Sequence, residues 1–144
     1  METMTLTIRQ SVLAGKACFT LQNTETGNRR TFKVVRAKKE GMENLYYVSV
    51  LNGPDNESSY AYMGMLNANR GTFRTTVNAK IRSDSVSFKT FAWFINLILN
   101  GKELPEQVKF FNAGRCFRCG RKLTTPESVT LGYGSCCAKF LRLD

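Results

Sequence analysis

The stretch Ser85-Val-Ser-Phe-Lys-Thr-Phe-Ala-Trp-Phe-Ile-Asn-Leu-Ile-Leu-Asn100 decides the fold, because it is the one strong helical pattern in the 144-residue chain. Ser83 to Ser85 offer N-terminal caps and Gly101 a C-terminal stop. At about 100° per residue, Phe88, Phe91, Ala92, Phe94, Ile95, Ile98 and Leu99 share one broad face, which requires a sheet to cover it. Lys89, Asn96 and Asn100 lie opposite. Trp93 and Leu97 fall among those polar positions, so the helix carries a second, smaller apolar patch. That patch is either a seat for the C-terminal segment or a surface for a partner.

Upstream, period-2 segments rich in β-branched and aromatic residues dominate positions 17–80. Ala17 to Gln22 and Arg30 to Arg36 flank a turn closed by Gly27-Asn28. Leu45 to Leu51, Tyr60 to Leu66 and Thr72 to Lys80 follow as strands, and Ile8 to Ala14 forms a helical turn stopped by Gly15. Downstream, Pro105 breaks the chain, and Gln107 to Phe111 reads as a strand leading through Asn112-Ala-Gly114. The expected fold class is therefore α+β, an antiparallel sheet of four or five strands packed on one main helix. It occupies residues 1–113, with a border near Gly114 and a small module over 114–144.

The module contains four of the five cysteines: Cys116-x2-Cys119, then the adjacent pair Cys136-Cys137. A Cys-x2-Cys turn brings two thiolates to one face of a tight knuckle, and Gly120 relaxes the backbone there, which makes a zinc half-site. Gly132-Tyr-Gly134-Ser135-Cys136-Cys137 supplies a turn, a cap and thiols in the first turn of a short helix. Knuckle, hairpin and helix-borne ligand make a treble-clef-like layout around one structural zinc ion, with Cys116, Cys119, Cys136 and Cys137 as the ligand set. Successive helical residues point about 100° apart, so Cys136 and Cys137 do not both aim naturally at one ion. The alternatives are a disulfide or inert thiols. Disulfides need an oxidising compartment, and Met1-Glu-Thr-Met-Thr-Leu-Thr has no apolar signal region, so a cytoplasmic protein is expected.

The run Cys116-x2-Cys119-Gly120-Arg121-x-Leu123-Thr124-x-Pro126-x-Ser128-x3-Gly132-x-Gly134-x2-Cys137 closely resembles a cysteine-rich module of unknown function in phage and bacterial proteins. In that pattern a proline follows the second glycine and a single cysteine ends it; here Ser135 stands for the proline and Cys136 is additional. The resemblance implies Cys116, Cys119 and Cys137 as zinc ligands, leaves the fourth position open, and implies a phage setting. Leu13 to Leu21, Tyr46 to Glu57 and Ser85 to Trp93 also resemble the N-terminal part of such phage proteins. The resemblance implies no activity.

Composition narrows the function classes. The chain has 21 Lys and Arg against 11 Asp and Glu, a formal charge of +10, and no histidine. Without histidine the usual general base and most catalytic metal sites are absent, and the carboxylates Asp55, Glu57 and Asp84 sit in turn or cap contexts. A zinc held by thiolates alone is closed and suits structure rather than water activation. No enzyme, no small-molecule substrate and no membrane span are expected.

The charge points to polyanions, either nucleic acid or an acidic protein face. In the module, Arg115, Arg118, Arg121, Lys122, Lys139 and Arg142 stand against Glu127 and Asp144; four zinc-bound thiolates reduce that excess by two units. A second cluster runs from Arg29 to Lys39. Arg30, Arg36 and Lys38 share strand parity while Lys33 and Lys39 lie on the other side, so it is no clean stripe. Two classes of function remain. One is an interaction protein acting on a host or phage protein, as an inhibitor of a host defence or nucleic-acid-processing enzyme, through Trp93 and Leu97. The other is a nucleic-acid-binding accessory protein using Arg118, Arg121 and Lys122 with Arg30 and Arg36. If phage-encoded, either works in the host cytoplasm.

Overall fold

In the computed structural model the residues described are 8–42, 44–52, 59–112, 115–123 and 131–134. The chain is α+β. A helical turn, α1 (residues 8–12), precedes β1 (Lys16–Asn23), β2 (Arg29–Arg36), β3 (Leu45–Leu51), β4 (Tyr60–Asn67) and β5 (Thr72–Arg74). The main helix α2 (Val86–Leu99) and β6 (Val108–Asn112) follow. All neighbouring strands are antiparallel, in the order β5-β4-β3-β2-β1-β6.

Among the described residues the sheet thus has six strands rather than four or five. The sixth is the segment expected to lead into the cysteines; it returns to pair with β1, bringing Phe110 opposite Leu21. At the other edge the strand expected over Thr72 to Lys80 stops at Arg74. There Ala79 N–H bonds the Thr76 carbonyl, and the N–H groups of Lys80 and Ile81 donate to the carbonyl of Tyr62. The backbone groups that would have extended the strand are consumed in that turn.

Alternation decides which sheet face is covered. In β2 and β3, Phe32, Val34, Tyr46, Val48 and Val50 are buried at period 2 on the face that α2 covers, whereas β1 is buried on both faces from Ala17 to Leu21, Cys18 and Thr20 included. Ser85 caps the helix by accepting from Phe88 N–H at 3.1 Å, and Asn100 ends it ahead of Gly101 at φ +70°. Successive turns of the helix run across the sheet from β5 to β1. Phe88 stacks on Phe73 of β5 at 4.5 Å, Phe91 meets Phe32 of β2 at 5.3 Å, and Phe94 meets Phe19 of β1 at 5.4 Å. Each fully buried phenylalanine contributes about 1.5–3 kcal/mol. The Arg82–Asp84 ion pair, with both side chains largely exposed, contributes at most about 1 kcal/mol, so the aromatic row governs stability.

Cys116, Phe117, Leu123 and Tyr133 belong to the same hydrophobic cluster as the sheet and α2. Phe110 links them, with its ring 5.0 Å from Phe19 and 5.9 Å from Phe117. Among the described residues no helix is long and apolar enough to cross a membrane.

Candidate functional site

The cysteine knuckle follows directly from β6. Asn112 accepts from Arg115 N–H at 3.1 Å and donates its side-chain amide to the Arg115 carbonyl at 2.7 Å. Arg115 and Lys122 then pair as an antiparallel bridge, and Cys116 N–H donates to the Arg121 carbonyl at 2.9 Å. Between them Gly120 N–H closes the turn onto the Cys116 carbonyl at 2.9 Å. Gly120 has φ +79°, a left-handed conformation that favours glycine, and this is what reverses the chain after Cys119.

The two thiols differ. Cys116 is fully buried and Cys119 is exposed. Burial pushes the Cys116 thiol up, yet hydrogen bonds from the backbone N–H groups of Cys119, Gly134 and Arg118, joined by the Cys119 side chain, outweigh it and bring the group down to about 7. A thiol lowered in this way carries negative charge more readily than an ordinary cysteine.

Residues 131–134 dock on the knuckle. Phe117 N–H donates to the Gly132 carbonyl at 2.9 Å, and the Phe117 ring meets Tyr133 edge-on at 5.7 Å. The Tyr133 hydroxyl donates to Ser11 Oγ of α1 at 3.4 Å. The knuckle is also tied to β1, where Lys16 N–H donates to the Phe117 carbonyl at 2.9 Å.

Among the described residues no three His, Cys, Asp or Glu side chains converge as a metal group; Cys116 and Cys119 form one pair. Cys136 and Cys137 lie outside the described residues. Cys18 does not join the pair: its sulfur lies 3.4 Å from the Tyr60 hydroxyl. What is present fits half of a thiolate site, with one sheltered sulfur and one open one.

The predicted binding residues separate into two regions. Arg36 lies at the knuckle end of β2, its N–H bonded to the Gly15 carbonyl. Its guanidinium donates to the Tyr46 hydroxyl at 2.8 Å and to the Leu13 carbonyl at 2.9 Å, holding α1 against β3. Arg30 lies six residues away, about 20 Å along an extended strand, and donates to Ser87 Oγ at 3.3 Å. The 29–39 segment therefore offers no single basic patch. On the knuckle, Arg121 and Lys122 are exposed and Arg118 is half-buried.

Trp93 is 41% exposed and lines a groove of about 480 Å³ with Leu21, Val86, Lys89 and Val108. The groove also touches Asn23 and Asn28, so it sits at the hairpin end of β1, opposite the end where Lys16 holds the knuckle. Trp93 is thus not a seat for the described part of the knuckle. Its place on the polar face was readable from helical periodicity; its exposure and the groove beside it, formed by chain segments far apart in sequence, were not.

No curated protein and no solved structure matches the chain. Residues 110–142, from within β6 through both cysteine pairs, match a family of unknown function (DUF6011), and it is this C-terminal stretch that is similar to the family.

Proposed function

We propose that residues 114–144 form a treble-clef-like module holding one structural zinc ion through Cys116, Cys119 and the Cys136-Cys137 pair. The observation that carries this is the docking of residues 131–134 on the knuckle, where Phe117 N–H donates to the Gly132 carbonyl at 2.9 Å. Cys136 and Cys137 follow Gly134 by two and three residues, which limits their Cα atoms to about 7.6 and 11.4 Å from that of Gly134. The chain length thus allows a second pair of thiols to reach the first. An all-thiolate zinc site is closed, so the ion stabilises the fold and the protein is non-catalytic.

The protein acts by binding, as a phage-type interaction protein that inhibits a host defence or nucleic-acid-processing enzyme in the host cytoplasm. Support comes from Trp93, a large aromatic exposed on a polar helix face away from the knuckle, where an interface anchor is worth most. The test is association with the partner enzyme: Trp93→Ala abolishes binding while the circular dichroism spectrum is retained. Loss of folding in that variant would remove the interface role.

A nucleic-acid-binding reading is favoured by one feature, the exposed Arg121 and Lys122 on the knuckle beside Arg118. Salt titration against single- and double-stranded oligonucleotides separates the two readings. Under this second reading, replacing Arg118, Arg121 and Lys122 by Ala lowers the salt slope by up to about three. Absence of oligonucleotide binding at low salt favours the protein partner.

A further inference from the structure

The groove at Trp93 has a definite chemistry. One wall is a stripe of α2 at helical spacing, Val86, Lys89, Thr90 and Trp93. The other is built from Leu21 and Arg30 of the β1–β2 hairpin and from the turn entering β6 at Val108. Val86 and Trp93 are 62% and 41% exposed, so its apolar surface faces solvent. Two cations, Arg30 and Lys89, border it, and none of its described lining residues is acidic.

We infer that this groove binds a short acidic peptide segment of a protein partner, with a large apolar side chain seated on Trp93 and Val86 and carboxylates facing Arg30 and Lys89. The inference rests on the protein-partner reading given above and names the chemistry of its contact. A volume of about 480 Å³ accommodates a few side chains, within the usual range of about 300–1,000 Å³ for binding pockets. Charge complementarity selects an acidic segment over a basic one. A nucleic-acid strand gains little here: two cations neutralise about two phosphates, for a salt slope near −1.4 on a single strand, and the apolar walls would go unused.

Trp93 is the chain's single tryptophan and hence a site-specific reporter. The experiment titrates the full chain with acetyl-Glu-Leu-Asp-Phe-Glu-amide, with acetyl-Lys-Leu-Lys-Phe-Lys-amide and with a short oligothymidylate, following Trp93 emission and amide NMR shifts. The acidic peptide is expected to saturate, with shifts centred on Val86 to Trp93 and Leu21 to Asn23, and to bind more tightly at low salt. Lys89→Glu, a change on the solvent-facing side of α2 that leaves the fold intact, weakens it at least about tenfold, a loss of about 1.4 kcal/mol. Equal binding of the basic peptide, or no saturation by the acidic one up to millimolar concentration, overturns the groove assignment. Shifts mapping elsewhere overturn the assignment while leaving the protein-partner reading standing. A response to oligothymidylate alone overturns both.

Discussion

The backbone N–H of Phe117 donates to the carbonyl of Gly132 at 2.9 Å, fifteen residues later in the chain. This contact converts two motifs separate in sequence, the Cys-x2-Cys turn and the Gly-Tyr-Gly turn, into one site. It also explains why Tyr133 is buried: its ring wedges against Phe117 and anchors the second motif to the first.

Because Phe117 lies in the core shared by the knuckle and the sheet, the two are expected to unfold together. Phe117→Ala should cost about 3–5 kcal/mol. Gly132→Ala should cost about 1–3 kcal/mol, since Gly132 has φ +86° and an added Cβ would lie 2.5 Å from the Phe117 ring. Denaturant titration followed by Trp93 emission checks both. An unchanged midpoint in either variant would show that the knuckle is energetically detached from α2.

The two adjacent cysteines are expected to be unequal. Only the position of Cys137 matches the single terminal cysteine of the resembling pattern, so Cys137→Ala should lower zinc affinity more than Cys136→Ala. Competition with a chelator measures the difference. Equal losses would mean that both ligate, and no loss in either would place the ligand outside this pair.

An alkaline transition is expected at Tyr60. Burial, then the Cys18 hydrogen bond and the Cys18 charge, push its hydroxyl above the ordinary tyrosine value, with Arg115 opposing. The folded state therefore holds the proton more tightly than the unfolded chain. The stability this represents is present below about pH 10 and is lost as pH rises beyond it. Urea midpoints between about pH 9 and pH 11 should fall more steeply for the wild type than for Tyr60→Phe. Parallel curves would show that Tyr60 ionises freely.

The helix α2 was legible because caps and periodicity agree: Ser85 is the N-cap, and Phe88, Phe91, Phe94, Ile95 and Ile98 are its buried face. The overrun of β5 has a physical cause, since Thr72 to Lys80 is rich in β-formers while the carbonyl of Tyr62 captures the N–H groups of Lys80 and Ile81. Local propensity contains no trace of that tertiary bond. Membership of β6 in the sheet was hidden for the same reason, its partner Phe19 to Asn23 lying some ninety residues upstream. Of the candidate site, the knuckle was readable from spacing, as was the position of Trp93 on the polar face of α2. The docking of Gly132 on Phe117 and the splitting of Arg30 from Arg36 were not, because both depend on how distant segments meet.

Zinc content bears most directly on the central claim. Protein purified without added zinc is expected to contain one zinc per chain by elemental analysis, and Cys116→Ser or Cys119→Ser should lose it, because thiolate ligation is coupled to folding. A normally folded protein containing no metal would contradict the account.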